Sequence, residues 1–494
     1  MLAFAERFRP RISALAGASV GAAVLAIVCR WLASYHPGAI VLAIALGAFW
    51  FSIALAAISA VLRAKSRFSV PAAAFIWAAA ELGRSTILIA FPYATLPYAL
   101  ADSAAALGLA SVGGVALVGL ATAGSNVTLY AALRRLRGPV SGRASGAALR
   151  AAFGIACALA VVVAGRPDSG IGGPSVAAPT AATPGAPPAE GWYRVALLQP
   201  CVRSQKNPAE YAAALERLMA LSDEALAYGP DLVAWHETAV VPPIEWHLRH
   251  RPDRSTYDVV AEADEYLRRY PSPVVAGNGY AVPGDVRRAV EHNSALLYSG
   301  GSIRDRYDKV NLVPFSEYLP SWAGLPALRR WIVSRFGNFW SPGSGPKLFT
   351  ASPASFAAPI CFEDSFGRYF ASFDAPDFFV VLTNDSWARS AGMQEQHLAM
   401  SRFRAAETGA MVLRAADTGA TVAIASNGAV AAALPPFERG ALVVDVPLGR
   451  AITTPYESIG KASDIATLAV GLILVALCAA DRRRSLRIDK NGSL

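Results

Sequence analysis

The sequence predicts an α-helical transmembrane bundle joined to an extracytoplasmic α/β domain. Three observations carry this reading. Hydrophobic residues make up 54% of the 494-residue chain against 16% charged, with a mean hydropathy of +0.36, and they gather in long stretches towards both ends. A Pro/Gly/Ala-rich break follows residue 165. Beyond the break, short apolar runs alternate with helical ones.

The apolar stretches are Ile12–Leu32, Ala39–Leu62, Val70–Ala90, Ala104–Leu133 and Ala147–Gly165, with a shorter sixth at Ile465–Ala480. A helix that crosses a bilayer needs roughly 20 mostly apolar residues. Five such stretches almost in succession do not suit the buried helices of a soluble protein. Basic residues flank them: Arg7, Arg9 and Arg11; Arg63, Lys65 and Arg67; Arg134, Arg135 and Arg137; Arg482, Arg483 and Arg484. With a cytoplasmic N-terminus, the clusters after the second, fourth and sixth stretches all face the cytoplasm, as the positive-inside rule requires. Five spans then carry the chain out of the cytoplasm before Gly191. The net charge of +9 therefore reports topology and anionic lipid. It does not point to nucleic acid, for which no stacking motif or basic stripe is present. No removable signal peptide is evident.

Residues 166–190, RPDSGIGGPSVAAPTAATPGAPPAE, read as a linker with nothing to pack. The organisation expected is a bundle over 1–165, the linker over 166–190, an α/β domain over 191–450, and a last membrane helix with a basic cytoplasmic tail over 451–494. In the α/β part, RVALLQP, DLVAWHE, PVVAGNG, SFAAPICFE, DFFVVLTND and TVAIAS read as strands. AAALERLMALSDEALA and MQEQHLAMSRFRAAETG read as helices. Apolar runs that do not alternate indicate strands covered on both faces, hence a layered domain.

Polar residues emerge where these strands end: Glu237 after DLVAW, Cys361 after FAAPI, and Asn384 with Asp385 after FFVVLT. Sites in α/β sheets collect at the carboxyl ends of strands. A thiol, a carboxylate and a lysine together can run covalent acyl chemistry. The thiol attacks a carbonyl, the carboxylate moves the proton, and the cation stabilises the oxyanion. Of the five cysteines, Cys29, Cys157 and Cys478 lie in apolar segments, while Cys201 and Cys361 lie in the polar domain and are free to form one bridge. Glu81 and Arg84 stand three apart on one helix face in an apolar segment, where charges are paired or functional. His247 and His250 have a ligand-like spacing, but no further cluster joins them, and no metal or cofactor is expected. No phosphate-cradling glycine loop is present.

The segments PDLVAWHETA, YDKVNLVPFSEYLP, APICFEDSF and TNDSW, in that order, resemble the nitrilase superfamily, and within it the apolipoprotein N-acyltransferases. The likeness extends to ELGRSTILIAFPY, RFRAAETGAMVLRAADTG and TTPYESIG, and covers most of the chain from Phe75 to Gly460. It implies a nitrilase-like α-β-β-α sandwich with Glu237, Lys309 and Cys361 as its catalytic set and Glu317 as an additional catalytic glutamate. Substrate contacts are expected from Phe362, Glu363, Asn384 and Trp387, and from Glu81 and Arg84 in the bundle. The resemblance further implies a multi-pass protein of the bacterial inner membrane whose catalytic domain faces the periplasm. Such an enzyme moves a fatty acyl chain from a phospholipid, through a Cys361 thioester, to the N-terminal amine of a diacylglyceryl-cysteine apolipoprotein. The same residues also fit a membrane-tethered amidase with water as acceptor, and the fold alone fits a non-catalytic platform. The chain departs from the family pattern at His236, Ser316, Phe362, Asn207 and Asp417-Thr418.

Overall fold

The structure, a computed structural model, describes residues 1–87, 89–136, 179–202, 205–281, 291–320, 326, 330, 339–449 and 453–491. It divides into two compact units. One comprises Met1–Pro174 with Thr454–Leu494, and the other Ser175–Thr453. The apolar stretch Ala147–Gly165 lies outside the described residues, as does the segment 166–178.

The first unit is helical: α1 Pro10–Val28, α2 Pro37–Arg63, α3 Ser69–Thr86, α4 Ala104–Leu136 and the C-terminal α8 Pro455–Asn491. Among the described residues, Pro10–Val28, Pro37–Arg63, Ala104–Arg134 and Ala462–Ser485 are long and apolar enough to cross a membrane. Helices α1 and α2 meet through glycines. A Cβ on Gly21 would come within 2.2 Å of the Gly47 carbonyl oxygen, so only glycine permits this approach. The stretch Val70–Ala90 departs from expectation. Its helix ends at Thr86 and is not among the four, because Glu81 and Arg84 interrupt the apolar run. Both are buried. Arg84 donates to the carbonyls of Phe91 (3.0 Å) and Tyr93 (2.5 Å) and to Thr95 Oγ1 (3.0 Å), while Glu81 Oε1 accepts from Leu96 N at 3.0 Å.

Among the described residues, the second unit holds thirteen strands in two sheets. They are β1 Thr180–Ala181, β2 Trp192–Gln199, β3 Leu232–Ala234, β4 Val274–Ala281, β5 Glu291–Ser299, β6 Ser302–Asp308, β7 Leu348–Ala351, β8 Ala354–Ala357, β9 Phe378–Thr383, β10 Met411–Ala416, β11 Val422–Ile424, β12 Val430–Ala433 and β13 Gly440–Pro447. One sheet runs β1-β13-β2-β3-β4-β5-β6 and the other β12-β11-β10-β9-β8-β7. Val195, Leu197 and Ala234 of the first sheet share a core with Phe356, Phe378, Val380 and Leu413 of the second. The opposite face of the first sheet packs Leu198, Val233 and Trp235 against helices α5 Pro208–Leu226 and α6 Arg254–Arg269. Helix α7 Ala391–Thr408 packs on β10 and β11. This is an α-β-β-α sandwich.

Part of the segment read as a linker is ordered into it. Thr180–Ala181 pairs antiparallel with Val444 and Asp445 on β13, and the Ala186 carbonyl accepts from the buried Arg194 guanidinium.

Candidate active site

Strands β2, β3 and β4 run parallel, which brings their carboxyl ends to one edge. Glu237 lies just past β3, where Gly277 of β4 lets the backbone pass. A Cβ there would sit 2.3 Å from the His236 carbonyl oxygen and 2.7 Å from Glu237 Cα. Lys309 follows β6 directly, and its amide donates to the Asn293 carbonyl at 2.8 Å. In the second sheet Ile360 still pairs with Leu382, and Cys361 then turns with φ +50°, the left-handed region that strains a side-chain-bearing residue. That turn lifts the thiol off the end of the sheet.

Four side chains converge. Lys309 Nζ, fully buried, donates to Glu237 Oε1 at 3.0 Å and to Glu317 Oε1 at 2.8 Å. Asn293 Nδ2 donates to Glu237 Oε1 at 2.7 Å, and the Asn384 amide to Glu237 Oε2 at 3.0 Å. Glu317 Oε2 accepts from the Val313 amide at 2.7 Å, closing the loop that carries it. Burial acts to push the Lys309 ammonium down, but the two glutamates outweigh it and hold it well above its ordinary value. Burial pushes Glu317 up against the pull of Lys309. The Cys361 thiol is pushed well up by burial and by Glu237, while Lys309 opposes both. The resting site therefore holds a neutral thiol beside a carboxylate and a cation.

Residues 194–456 match the carbon-nitrogen hydrolase family model, and residues 1–128 match the apolipoprotein N-acyltransferase N-terminal domain. The chain belongs to the carbon-nitrogen hydrolase family. The apolipoprotein N-acyltransferase 1 of Treponema pallidum is 34% identical over 313 residues, covering 60% of this chain and 57% of that protein. The apolipoprotein N-acyltransferase of Geobacter metallireducens is 28% identical over 420 residues, covering 83% and 74%. An amidase from Nesterenkonia sp. aligns in structure at 18% identity with a TM-score of 0.39, over 53% of this chain and 93% of that one. The chain spans about half the length of several curated relatives, for example 57% of one Treponema pallidum protein and 48% of another. With this N-terminal domain and its membrane-length helices, the chain is a membrane protein.

In this carbon-nitrogen hydrolase the residues expected to bind substrate fall into different surroundings. Glu363 is wholly buried and its carboxylate is occupied by the chain. Oε1 accepts from the amides of Val310 (2.8 Å) and Asn311 (3.0 Å), and Oε2 from Tyr307 Oη (2.7 Å) and the Ile360 amide (2.8 Å). It ties the lysine loop to the cysteine turn and presents no oxygen to a ligand. Phe362 is buried edge-on against Phe366, with ring centroids 5.0 Å apart. Asn384 turns its carboxamide oxygen to Ser386 Oγ (2.6 Å), so its backbone amide is what reaches Glu237. Trp387 is exposed. Glu81 and Arg84 belong to the helical unit, where they brace the 91–96 loop.

Cys201 and Cys361 are both free thiols, so the bridge left open by the sequence is not made. Among the described residues His247 and His250 fall in no cluster of three potential metal ligands; His247 Nδ1 lies 2.9 Å from the Pro243 carbonyl, and Trp246 meets the His247 ring edge-on and the His250 ring at a tilt. One histidine close to Cys361 was not singled out by its sequence. Donor atoms of His397, Asp385 and Cys361 all lie within 4.8 Å of one another. The ring nitrogens of His397 face Asp385 Oδ1 (3.0 Å) and Asp364 Oδ1 (2.8 Å), with the Arg414 guanidinium bridging the same two carboxylates. A guanidinium in that place disfavours a metal ion. Asn293 was also missed, since an asparagine inside a strand gives no local signal.

Proposed function

We propose that the protein is a membrane N-acyltransferase that carries a fatty acyl group from a phospholipid, through a Cys361 thioester, to the α-amine of a lipid-modified N-terminal cysteine on an apolipoprotein. The observation that carries this reading is the Glu237–Lys309–Glu317 cluster beside Cys361, in a chain whose first 128 residues match the apolipoprotein N-acyltransferase N-terminal domain. The geometry supports the following roles. Glu237 accepts the Cys361 proton as sulfur attacks the ester carbonyl. Lys309 Nζ stabilises the tetrahedral oxyanion. Collapse expels the lysophospholipid oxygen, which takes the proton back from Glu237. The acceptor amine then attacks the thioester carbonyl, Glu237 removes its proton, and the C–S bond breaks to restore the thiol. Glu317 and Asn293 fix the lysine and the base. The catalytic domain, residues 191–450, is assigned to the periplasmic side of the inner membrane, an assignment that counts Ser69–Thr86 as a span because the main chain of residues 91–96 satisfies its buried Glu81 and Arg84.

Two measurements test the proposal. Intact-mass analysis after incubation with phospholipid alone is expected to show an acyl group on Cys361 that neutral hydroxylamine releases. Adding a diacylated lipopeptide is expected to discharge it as an amide. Steady release of free fatty acid with no acylated lipopeptide would establish a hydrolase instead. A reporter active only in the periplasm, fused after Gly191, is expected to be active, and activity there from a cytoplasmic reporter alone reverses the orientation.

A further inference from the structure

Behind Cys361 lies a second ionisable cluster that the acyl-transfer steps do not use. Asp364 comes from the turn after the nucleophile, Asp385 from the loop after β9, His397 and Ser401 from α7, and Arg414 from β10. All five are fully buried. His397 Nδ1 lies 3.0 Å from Asp385 Oδ1 and Nε2 2.8 Å from Asp364 Oδ1. Arg414 Nη2 donates to Asp385 Oδ2 at 2.8 Å, and Nη1 donates to Asp364 Oδ2. Ser401 Oγ donates to Asp364 Oδ2 at 2.5 Å and accepts from Arg414 Nη1 at 2.9 Å. Thr383, beside the thiol, donates to Asp385 Oδ1 at 3.2 Å.

The two aspartates carry two negative charges and Arg414 supplies one positive, so the cluster is neutral only while His397 is an imidazolium. A buried net charge within 4.8 Å of the reacting sulfur matters, because the low-dielectric interior screens it weakly.

We propose that His397, held as an imidazolium between Asp364 and Asp385, is a positioning residue that keeps the wall behind Cys361 electrically neutral, so that negative charge can develop on sulfur. Other charges facing this cluster do not replace it. Arg404, on the same helix, pairs with Glu407 at 2.7 Å and donates to the Asp364 main-chain carbonyl at 3.2 Å. Glu237 and Lys309 also act on the sulfur, and the mechanism already uses both. Arg414 Nη2, 3.0 Å from His397 Nδ1, opposes the imidazolium, but the two carboxylates outweigh it. Burial acts to lower the His397 value and the aspartates raise it to about 9, so the ring is charged at neutral pH.

The inference rests on Cys361 being the nucleophile, and its test does not depend on which acceptor is used. The full-length protein in detergent is treated with iodoacetamide near neutral pH, and modification of Cys361 is followed by mass spectrometry. His397→Gln leaves one carboxylate uncompensated, and alkylation is expected to slow about tenfold or more, the effect of a thiol pKa raised by one unit. Asp364→Asn combined with His397→Gln restores neutrality and is expected to recover most of that loss. A histidine that only packs predicts the opposite, since a second change in one buried cluster then adds damage. Alkylation of His397→Gln at the wild-type rate, or a double variant no faster than the single one, overturns the proposal.

Should His397→Gln not fold, the wild-type profile decides. Alkylation is expected to rise about tenfold per pH unit below about pH 9 and markedly more slowly above it, as the imidazolium is lost, and a rise that stays about tenfold per unit through and beyond pH 9 overturns the inference. If phospholipid never loads Cys361 while this alkylation pattern holds, the acyltransferase reading fails and the neutral wall stands.

Discussion

Replacing Glu363 tests whether one buried carboxylate holds the two halves of the site in register. It accepts four hydrogen bonds, from the amides of Val310, Asn311 and Ile360 and from Tyr307 Oη. Glu363→Gln keeps the shape but exchanges one oxygen for an NH₂ group. The better orientation turns the carbonyl to Val310 and Asn311. The Tyr307 hydroxyl, already 2.6 Å from Tyr369 Oη, can then rotate to accept from the new amide. The Ile360 amide alone is orphaned, at a cost of about 1–3 kcal/mol, and the remaining bonds drop from charge-assisted to neutral strength. Burial already pushes the Glu363 carboxyl up, so removing its charge returns part of this loss. The net expectation is a destabilisation of about 2–4 kcal/mol, or a melting point roughly 5–15 °C lower for a domain of this size. Glu363→Ala orphans all four donors and is expected not to fold. Because Ile360 precedes Cys361 and Val310 follows Lys309, the Gln variant is also expected to lose acylation rate. Thermal unfolding in detergent and acyl loading of Cys361 measure the two effects. A variant that melts within a degree or two of wild type and loads at the same rate would refute the reasoning.

Lys309→Ala is expected to lower acylation by about 10²–10³, the cost of one oxyanion donor, and Lys309→Arg to recover it only in part, as stopped-flow acylation would show. Gly277→Ala forces a methyl against the main chain of residues 236–238. Displacing the base by about 1 Å is expected to cost on the order of 10²-fold in kcat with little change in KM. His397 rises from an ordinary 6.5 to about 9. Between those values the native state holds a proton that the unfolded chain has lost. Its contribution, roughly 3 kcal/mol, is therefore complete below about pH 6.5 and gone by about pH 9. Thermal unfolding across that window, wild type against His397→Gln, measures it.

The parts of the fold that were legible are those where a local pattern states its own environment. FFVVLT and RVALLQ are continuous apolar runs, and both are central strands covered on both faces. The pair β5–β6 was not legible, since SIRDRYD sits at a sheet edge and carries three consecutive charges, Arg304–Asp305–Arg306, with no apolar run. Thr180–Ala181 had no strand signal because its pairing with β13 comes from a segment more than 250 residues away. In the candidate site, Glu237, Lys309 and Cys361 each end a strand or open a turn, so their positions showed in the order of elements. His397, Arg414 and Asp364 are spread over some fifty residues and lie inside a helix, a strand and a turn. Only the stacking of α7 on the second sheet brings them together.

On the proposed mechanism, charge bookkeeping across Cys361 explains how a thiol pushed well above its ordinary value serves as a nucleophile. On one side, Lys309 stands between Glu237 and Glu317. On the other, the Asp364–Asp385–His397–Arg414 cluster sums to zero. Moving the proton from sulfur to Glu237 leaves the total charge of this buried region unchanged, so no ion has to be created in the low-dielectric interior. The transfer relocates one negative charge from the glutamate, where Lys309 and the Asn384 amide meet it, to sulfur, where Lys309 remains its main partner. A preformed thiolate is therefore unnecessary, because the proton leaves as the carbonyl is attacked. It also follows that the two walls are not equivalent. The Lys309 wall stabilises the charge after it moves, whereas the His397 wall acts by not repelling it, and the first is expected to carry the larger share of the rate.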